Sequence, residues 1–449
     1  MRFFIRTYGC QMNEHDSRKI AALLSACGDE AVPRAADADC ILFNTCTIRD
    51  KARQKALSEI GRTARLKAAR PDLVVGVCGC VAQQEQEVLF ERFPHIDLLF
   101  GPDQIAALPR LLAAVREEHR QVAAVDLVNT PEAYRFLDLA PWGQAARASA
   151  FVTIMKGCDS RCAYCIVPKV RGAEVSRPAD EIIAEVRALA ASGTREAVLL
   201  GQTVNAYGKG GRPGTVPFAM LLKRIADETA IDRIRFTSPH PKDVDAALVE
   251  AYRTNAKLCR HIHLPLQSGA DVVLRRMRRA YSLRQYREKV TCLRDACPDL
   301  AISTDIIVGF PGETDADFQA TMAMLRDVGF DGLYAFRYSP RPGTESFARM
   351  PDDVPDAVKA ARLHELLAAH SAMNRRKLAT LVGTTAEVLV EGPSPRAAGA
   401  GWLTGRTTHH RIVHFPGDSA AVGNLRTVRI TAAQSHSLTG ECIDLGRSA

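Results

Sequence analysis

The chain has 449 residues, 59 Lys+Arg against 51 Asp+Glu for a formal charge of +8, and 13 cysteines. At roughly 150 residues per domain the length allows about three domains, and 47% apolar with 24% charged residues is the balance of a soluble globular protein, which excludes disordered and collagen-like classes. The N-terminal MRFFIRTYGC is too short an apolar stretch for a signal peptide, and no window approaches the roughly 18 uncharged apolar residues of a membrane span. The expected location is therefore cytoplasmic, with no membrane partner. Cytosolic thiols stay reduced, so an odd set of thirteen points to metal or redox chemistry before disulfides.

Charge is unevenly spread. Positions 253–294 hold eleven basic and two acidic residues, and positions 49–70 hold eight and two. Such runs either form solvated helix faces or meet a polyanion, where each neutralised phosphate releases a counterion; two of them make nucleic acid a candidate partner.

In residues 1–118, short apolar runs at 3–8, 40–44 and 73–77 alternate with amphipathic stretches such as 17–26 and 50–69. That alternation predicts a parallel α/β sheet. Cys10, Cys46 and Cys80 each follow one of these strands. The C-terminal strand ends of such a sheet share one edge, where ligands bind, so the three thiols are either a site or coincidental core cysteines. Residues 119–143, with Pro131, Pro141 and Gly143, read as a linker.

Residues 144–376 carry a second alternation. Strands are predicted at 151–155, 197–201, 234–237, 261–266, 302–308 and 332–338, with helices such as 180–191 and 283–296 between them. Six units fit a full or partial β/α barrel, with its chemistry at the C-terminal strand ends. Residues 377–440 change to short strands at 386–390, 411–414 and 427–430 between Gly and Pro, which predicts a small all-β barrel; 441–449 is left as a tail.

Cys158, Cys162 and Cys165 follow the first strand of this barrel in a C-x3-C-x2-C spacing. Structural zinc takes four protein ligands, and no further Cys or His occurs before His240. Three local thiolates on a cubane iron–sulfur cluster leave one iron open to substrate or cofactor. Three structural cysteines, or a zinc site completed by a remote ligand, are the alternatives.

With Tyr164 before the third cysteine, this motif resembles the signature of the radical S-adenosylmethionine (SAM) superfamily. The segments TYGCQMNE at 7–14, NTCTIRDK at 44–51, GCVAQ at 79–83, LGQTVNAY at 200–207, HLPLQSG at 263–269, STDIIVGFPGET at 303–314 and YSPRPGT at 338–344 resemble the methylthiotransferases. QMN after Cys10 and RDK after Cys46 are similar to the MiaB-type tRNA branch. TGRT at 404–407 and SLTGE at 437–441 resemble a TRAM domain, which in this family grips tRNA.

The resemblance covers nearly the whole chain. It implies two [4Fe–4S] clusters, one on Cys158, Cys162 and Cys165, where SAM is cleaved to a 5′-deoxyadenosyl radical, and one on Cys10, Cys46 and Cys80, which presents sulfur. The product would be 2-methylthio-N6-isopentenyladenosine at position 37, beside the anticodon. An electron donor of flavodoxin or ferredoxin type and a sulfur donor would be needed. Cys78 departs from the family pattern two residues before Cys80, and Ala173 stands where a second Glu is common beside Glu174.

Further expectations concern contacts. Gln202, Gln267, Ser303, Asp305, Gly309 and Glu313 are expected at the SAM site, with Ser303 and Asp305 on one strand face. His261 and His263 also share a face and read as satisfied core histidines. Arg275, Arg276, Arg278, Arg279 and Arg406 are expected to meet the anticodon stem-loop, since a base under chemistry must leave its stack. The alternatives are methylthiolation of threonylcarbamoyl-adenosine or of a ribosomal-protein aspartate, and, in a different class, a non-catalytic iron–sulfur RNA-binding or electron-transfer protein.

Overall fold

The computed structural model describes residues 1–48, 50–128, 134, 136–137, 148–396 and 401–443. Arg49, most of the expected linker and the end of the tail lie outside the described residues. The chain divides into two compact units. The first gathers Met1–Gln144 with Met155–Ser160 and Ile166–Arg177, and the second holds the remainder.

The first unit is built on six parallel strands, β1 (Arg2–Thr7), β2 (Glu30–Ala31), β3 (Cys40–Thr45), β4 (Val74–Gly79), β5 (Leu98–Phe100) and β6 (Val122–Ala124). Their order is β2-β1-β3-β4-β5-β6. Every residue of β3 and β4 is buried, as expected for central strands of a sheet covered on both faces. One face packs Ile20, Leu24, Leu108 and Leu112 from the Gln11–Ala26 and Leu108–Glu118 helices. The other packs Leu57 and Ile60 of the Asp50–Ala69 helix.

Two differences from the expected boundaries have physical causes. Val122–Ala124, inside the expected linker, pairs with β5; three residues are too few for a visible alternation. Met155–Ser160 and Ile166–Arg177, expected in the barrel, join the first unit. Ile166 and Val170 pack on Cys80 there, and buried Lys156 pairs with Asp103 at 2.6 Å.

The second unit contains the six predicted barrel strands, β7 (Ser149–Thr153), β8 (Glu196–Leu200), β9 (Arg233–Phe236), β10 (His261–His263), β11 (Ala301–Val308) and β12 (Gly332–Arg337). They form two three-stranded parallel sheets, β9-β8-β7 and β10-β11-β12, so the partial form of the β/α barrel is the one adopted. The Asp356–Ala379 helix then leads into a closed barrel of β13 (Thr385–Pro393), β14 (Trp402–Thr407), β15 (Ile412–Pro416), β16 (Leu425–Ala433) and β17 (Leu438–Cys442). Glu441 and Cys442, expected in the tail, pair with Arg429 and Val428. Leu378 of the helix joins Val388, Val413 and Phe415 in this barrel's core.

Two arginines on one face of β9 tie the parts of this unit together. Arg233 donates to the Arg406 carbonyl at 3.0 Å and to Glu387. Arg235 grips both oxygens of Glu196 at 3.1 and 3.0 Å and reaches the Thr407 and Thr408 carbonyls. Burial pushes the Glu196 carboxyl up, but the Arg235 charge and hydrogen bonds more than offset this and leave its pKa below the ordinary value.

Glu196→Ala is expected to cost about 3–5 kcal/mol, because it strands a buried guanidinium, and to lower the urea midpoint. Adding Arg235→Met should recover much of that loss. Since the folded pKa is depressed, the carboxylate's contribution is complete above about pH 4.3 and is lost as pH falls through the lower folded value, which a pH series of urea midpoints would check.

Candidate functional site

Cys10 follows β1 and starts the Gln11–Ala26 helix, Cys46 follows β3, and Cys80 follows β4 and opens the Cys80–Glu85 helix. The order β2-β1-β3 makes β1/β3 a topological switch point, the crevice where open α/β sheets bind ligands. Here the Cys10 and Cys46 thiols are hydrogen-bonded to each other, and Cys46 also lies within electrostatic range of Cys80. The Cys46 thiol hydrogen bond, helped by the Arg171 charge, holds Cys10 below its ordinary pKa despite burial. The same bond and burial raise Cys46, and burial raises Cys80, with Arg171 opposing.

Two glycines allow this approach. A Cβ on Gly9, at φ +126°, would lie 2.3 Å from Cys46 Cβ, and one on Gly79, at φ +86°, would lie 2.5 Å from Asn44 Oδ1. A buried amide network fixes the strand ends. Asn13 Nδ2 donates to Asn44 Oδ1 at 3.0 Å and the Thr45 carbonyl at 2.8 Å, while Asn44 Nδ2 donates to the Asn13 carbonyl and Ser17 Oγ. Cys78 instead turns into the apolar core, so Cys80 is the thiol at the crevice.

Arg171 was not anticipated from the sequence. It is buried, pairs with buried Asp16 at 2.8 Å, and hydrogen-bonds the Cys80 side chain. The only sequence signal is a basic residue before Gly172, which spacing alone does not connect to Cys80.

In the C-x3-C-x2-C segment, the Cys158 N–H donates to the Gly172 carbonyl at 3.1 Å. Asp159 and Glu174 clamp the same loop, each backbone N–H donating to the other's carboxylate. Ala173 therefore leaves this role of Glu174 intact. In the second unit, the Cys165 N–H donates to the Cys162 carbonyl at 3.0 Å, and Ala163 is bonded to Met277 and Ser346. Tyr164 stands edge-on to Phe310.

The four arginines expected to act alike do not. Arg275, Arg276 and Arg278 are exposed, with Arg276 bonded to the Gly312 carbonyl and Arg278 paired with Glu345. Arg279 turns inward, with Nη1 3.2 Å from Cys162 Sγ and Nε 3.2 Å from Tyr281 Oη. Arg406 is half-buried on β14, 3.7 Å from Glu391.

The residues expected around SAM also divide. Ser303 Oγ bonds His261 Nε2 at 3.0 Å and His263 Nδ1 at 2.9 Å, and His263 Nε2 lies 3.3 Å from Asp305. His261 lies in the core with Nε2 paired, but its Nδ1 is buried without a partner, so the expected satisfaction is only half met; burial lowers its pKa. Gly309 does not offer its amide outward: Glu313 accepts from the N–H groups of Gly309 and Phe310, and burial pushes the Glu313 carboxyl up to about 7. The Gly309 and Phe310 amides of this turn are thus already paired within it. Gln202 and Gln267, by contrast, each have a buried amide oxygen without a partner.

Family models match along the chain: the Uncharacterized protein family UPF0004 over residues 2–101, the Radical SAM superfamily over 152–325 and the TRAM domain over 379–443. A tRNA-2-methylthio-N(6)-dimethylallyladenosine synthase of Ralstonia nicotianae is 47% identical, covering 99% of this chain and 98% of the relative. The same-named protein of Syntrophobacter fumaroxidans is 46% identical over 98% and 95%. The chain belongs to the tRNA-2-methylthio-N(6)-dimethylallyladenosine synthase family.

Solved radical SAM structures share the synthase fold at low identity. The methyltransferase TsrM of Kitasatospora setae, described with cobalamin and a [4Fe–4S] cluster, has a TM-score of 0.55 at 12% identity, covering 90% of this chain and 77% of that one. OxsB, a cobalamin-dependent SAM radical enzyme, has a TM-score of 0.52 at 12% identity, covering 83% and 56%.

The donor sets fit this family's chemistry. Among the described residues, no three Cys, His, Asp or Glu side chains are arranged to hold one metal ion. A cluster several ångströms across accepts its thiolates farther apart than a single ion does, and soft thiolates select iron–sulfur centres. Arg171→Ala is expected to leave Asp16 buried and unpaired, costing about 3–5 kcal/mol. Its thermal midpoint should fall well below that of Arg171→Lys, which keeps the charge, and equal midpoints would refute a charge role.

Proposed function

We propose that this protein methylthiolates C2 of N6-isopentenyladenosine at position 37 of tRNA, giving 2-methylthio-N6-isopentenyladenosine, with two [4Fe–4S] clusters and SAM. The observation that carries the reading is the gathering of Cys10, Cys46 and Cys80 at a switch point, in a chain that also holds the Cys158, Cys162 and Cys165 spacing. One thiol triad suits SAM cleavage; a second suits a reaction that must also deliver sulfur.

The adenine C2–H is neither acidic nor electrophilic, so SAM on an iron–sulfur centre supplies the one-electron chemistry that side-chain acids and bases lack. The protein's part is to hold and orient. Cys158, Cys162 and Cys165 would ligate one cluster through three irons, leaving the fourth for SAM. Arg279, 3.2 Å from Cys162 Sγ, would offset thiolate charge. The unpaired amide oxygens of Gln202 and Gln267 would accept hydrogen bonds from the polar end of SAM, with Ser303 and Asp305 nearby on one strand face.

Cys10, Cys46 and Cys80 would hold the sulfur-presenting cluster, with Arg171 as the adjacent cation. A flavodoxin- or ferredoxin-type protein would supply electrons, and a separate donor the sulfur. No helix among the described residues is long and apolar enough to cross a membrane, and we place the reaction in the cytoplasm.

Cys158→Ala protein, reconstituted with iron and sulfide, should not cleave SAM reductively. Cys46→Ala should still cleave SAM but yield no thiolated nucleoside. A deletion strain's tRNA should lose the 2-methylthio mass and retain isopentenyladenosine; an altered ribosomal protein or threonylcarbamoyl-adenosine derivative would point to the other substrates.

Arg275, Arg276 and Arg278 would meet the phosphates of the stem. Reversing all three to Glu should weaken tRNA binding and reduce the slope of log Kd against log salt by up to about three units, one for each phosphate no longer neutralised. An unchanged slope would return them to a solvated face.

A further inference from the structure

Parallel sheets are normally covered on both faces, and β12 departs from this. It is the edge strand of the β10-β11-β12 sheet. The Asp356–Ala379 helix packs against it, yet Tyr334 and Phe336 remain 50% and 41% exposed. Of the large hydrophobic side chains exposed among the described residues, only three are aromatic, and all fall between 334 and 347.

Register defines what these rings sit beside. Tyr334 pairs with Asp305 and Phe336 with Ile307, so the two-residue period of a strand puts both rings on the face that carries Ser303 and Asp305. Tyr334 stands edge-on to His263, with ring centroids 5.7 Å apart, and His263 is held by Ser303 and Asp305. On that same face Gly332 has no side chain, and a Cβ there would lie 2.9 Å from Ser303 Cβ. The result is two exposed rings beside a step where Ser303 packs closely over Gly332, and a fixed polar edge.

The surroundings mix charges. Arg337 is exposed at the end of the strand, one residue past Phe336 and so on the opposite face. Glu345, at the start of the following Glu345–Arg349 helix, pairs with Arg278 at 2.5 Å and with Arg349 at 3.8 Å, which joins this segment to the Arg275–Arg278 run. Aromatic rings flanked by arginines are the means by which proteins hold single-stranded nucleic acid, the bases stacking while the cations follow the backbone.

We propose that Tyr334 and Phe336 form the platform on which an unstacked purine base of the RNA loop rests, with His263 and Asp305 at its edge. This rests on the tRNA reading above and deepens it by naming the side chains that receive the base. An uncovered aromatic face continuous with Ser303 and Asp305 fits a flat, uncharged ring attached to a polyanion.

The test uses the full-length protein reconstituted with iron and sulfide, a fluorescein-labelled anticodon stem-loop containing isopentenyladenosine, and SAM measured separately by equilibrium dialysis. Tyr334→Ala and Phe336→Ala should each weaken stem-loop binding by about 5- to 150-fold, the range for losing a base-stacking aromatic. SAM affinity and the salt slope should stay unchanged, since stacking releases no counterions. Tyr334→Phe and Phe336→Tyr should restore most of the affinity, and their retained rings keep the comparison valid if an alanine variant folds poorly. Unchanged stem-loop affinity in the alanine variants overturns the platform and leaves the tRNA reading standing. A loss of SAM affinity without loss of RNA affinity assigns the rings to SAM and also overturns it. Failure of the wild-type protein to bind the stem-loop removes both.

Discussion

The reversal of strand order between β1 and β3 opens a crevice at the carboxyl edge of the N-terminal sheet, because the segments leaving those two strands run to opposite sides. Cys10 and Cys46 stand on its two lips, and Cys80 follows the next strand over. Positions 36 and 34 residues apart in the chain thereby become one set of donors. The close approach places a demand on the backbone. Gly9 and Gly79 take positive φ values where a side chain would strike Cys46 or Asn44, and the Asn13–Asn44 exchange of hydrogen bonds ties the first helix to the end of β3. Topology brings the thiols near one another; these four residues set how near.

Electrostatics accounts for the next layer. Thiolates gathered in a dry crevice are an accumulation of negative charge, which is costly unless a cation shares the site. Arg171 supplies it in the first unit, buried and anchored by Asp16. Arg279 plays the corresponding part beside Cys162 in the second. Both are arginines, whose fixed fork can engage a sulfur and an oxygen partner together. Each thiol set thus carries its own guanidinium, drawn from a segment that the cysteine spacing does not point to.

Much of the scaffold was legible because long, periodic or wholly apolar segments leave little freedom. The helix over 50–69 has the bounds expected of it, and all six barrel strands lie where the apolar runs put them, with ends moved by a few residues. Short elements such as β5 and β6 escaped, since three residues carry no periodicity. The basic run at 275–279 is not uniform, for a different reason. Arg278 adopts φ +54°, which breaks the regular progression of side-chain directions, so Arg278 faces Glu345 while Arg279 turns to Cys162. A tally of charge along the chain has no access to that change of direction.

The SAM-side residues draw a finer line between resemblance and physical fit. Gly309 and Glu313 carry a family motif, yet Glu313 accepts from the N–H groups of Gly309 and Phe310, so these amides are paired within the turn itself. Gln202 and Gln267 were no more conspicuous in the sequence. Gln267 even spends its backbone on β11, donating to the Asp305 carbonyl and accepting from Ile307. Its side-chain oxygen, like that of Gln202, is nonetheless buried without a partner. Since folded proteins leave few buried polar atoms unpaired, an atom in that state is a stronger mark of an expected ligand than a motif whose hydrogen bonds are already satisfied. By that criterion the two glutamines are better candidates for a ligand contact than the glycine turn, whose amides are already paired.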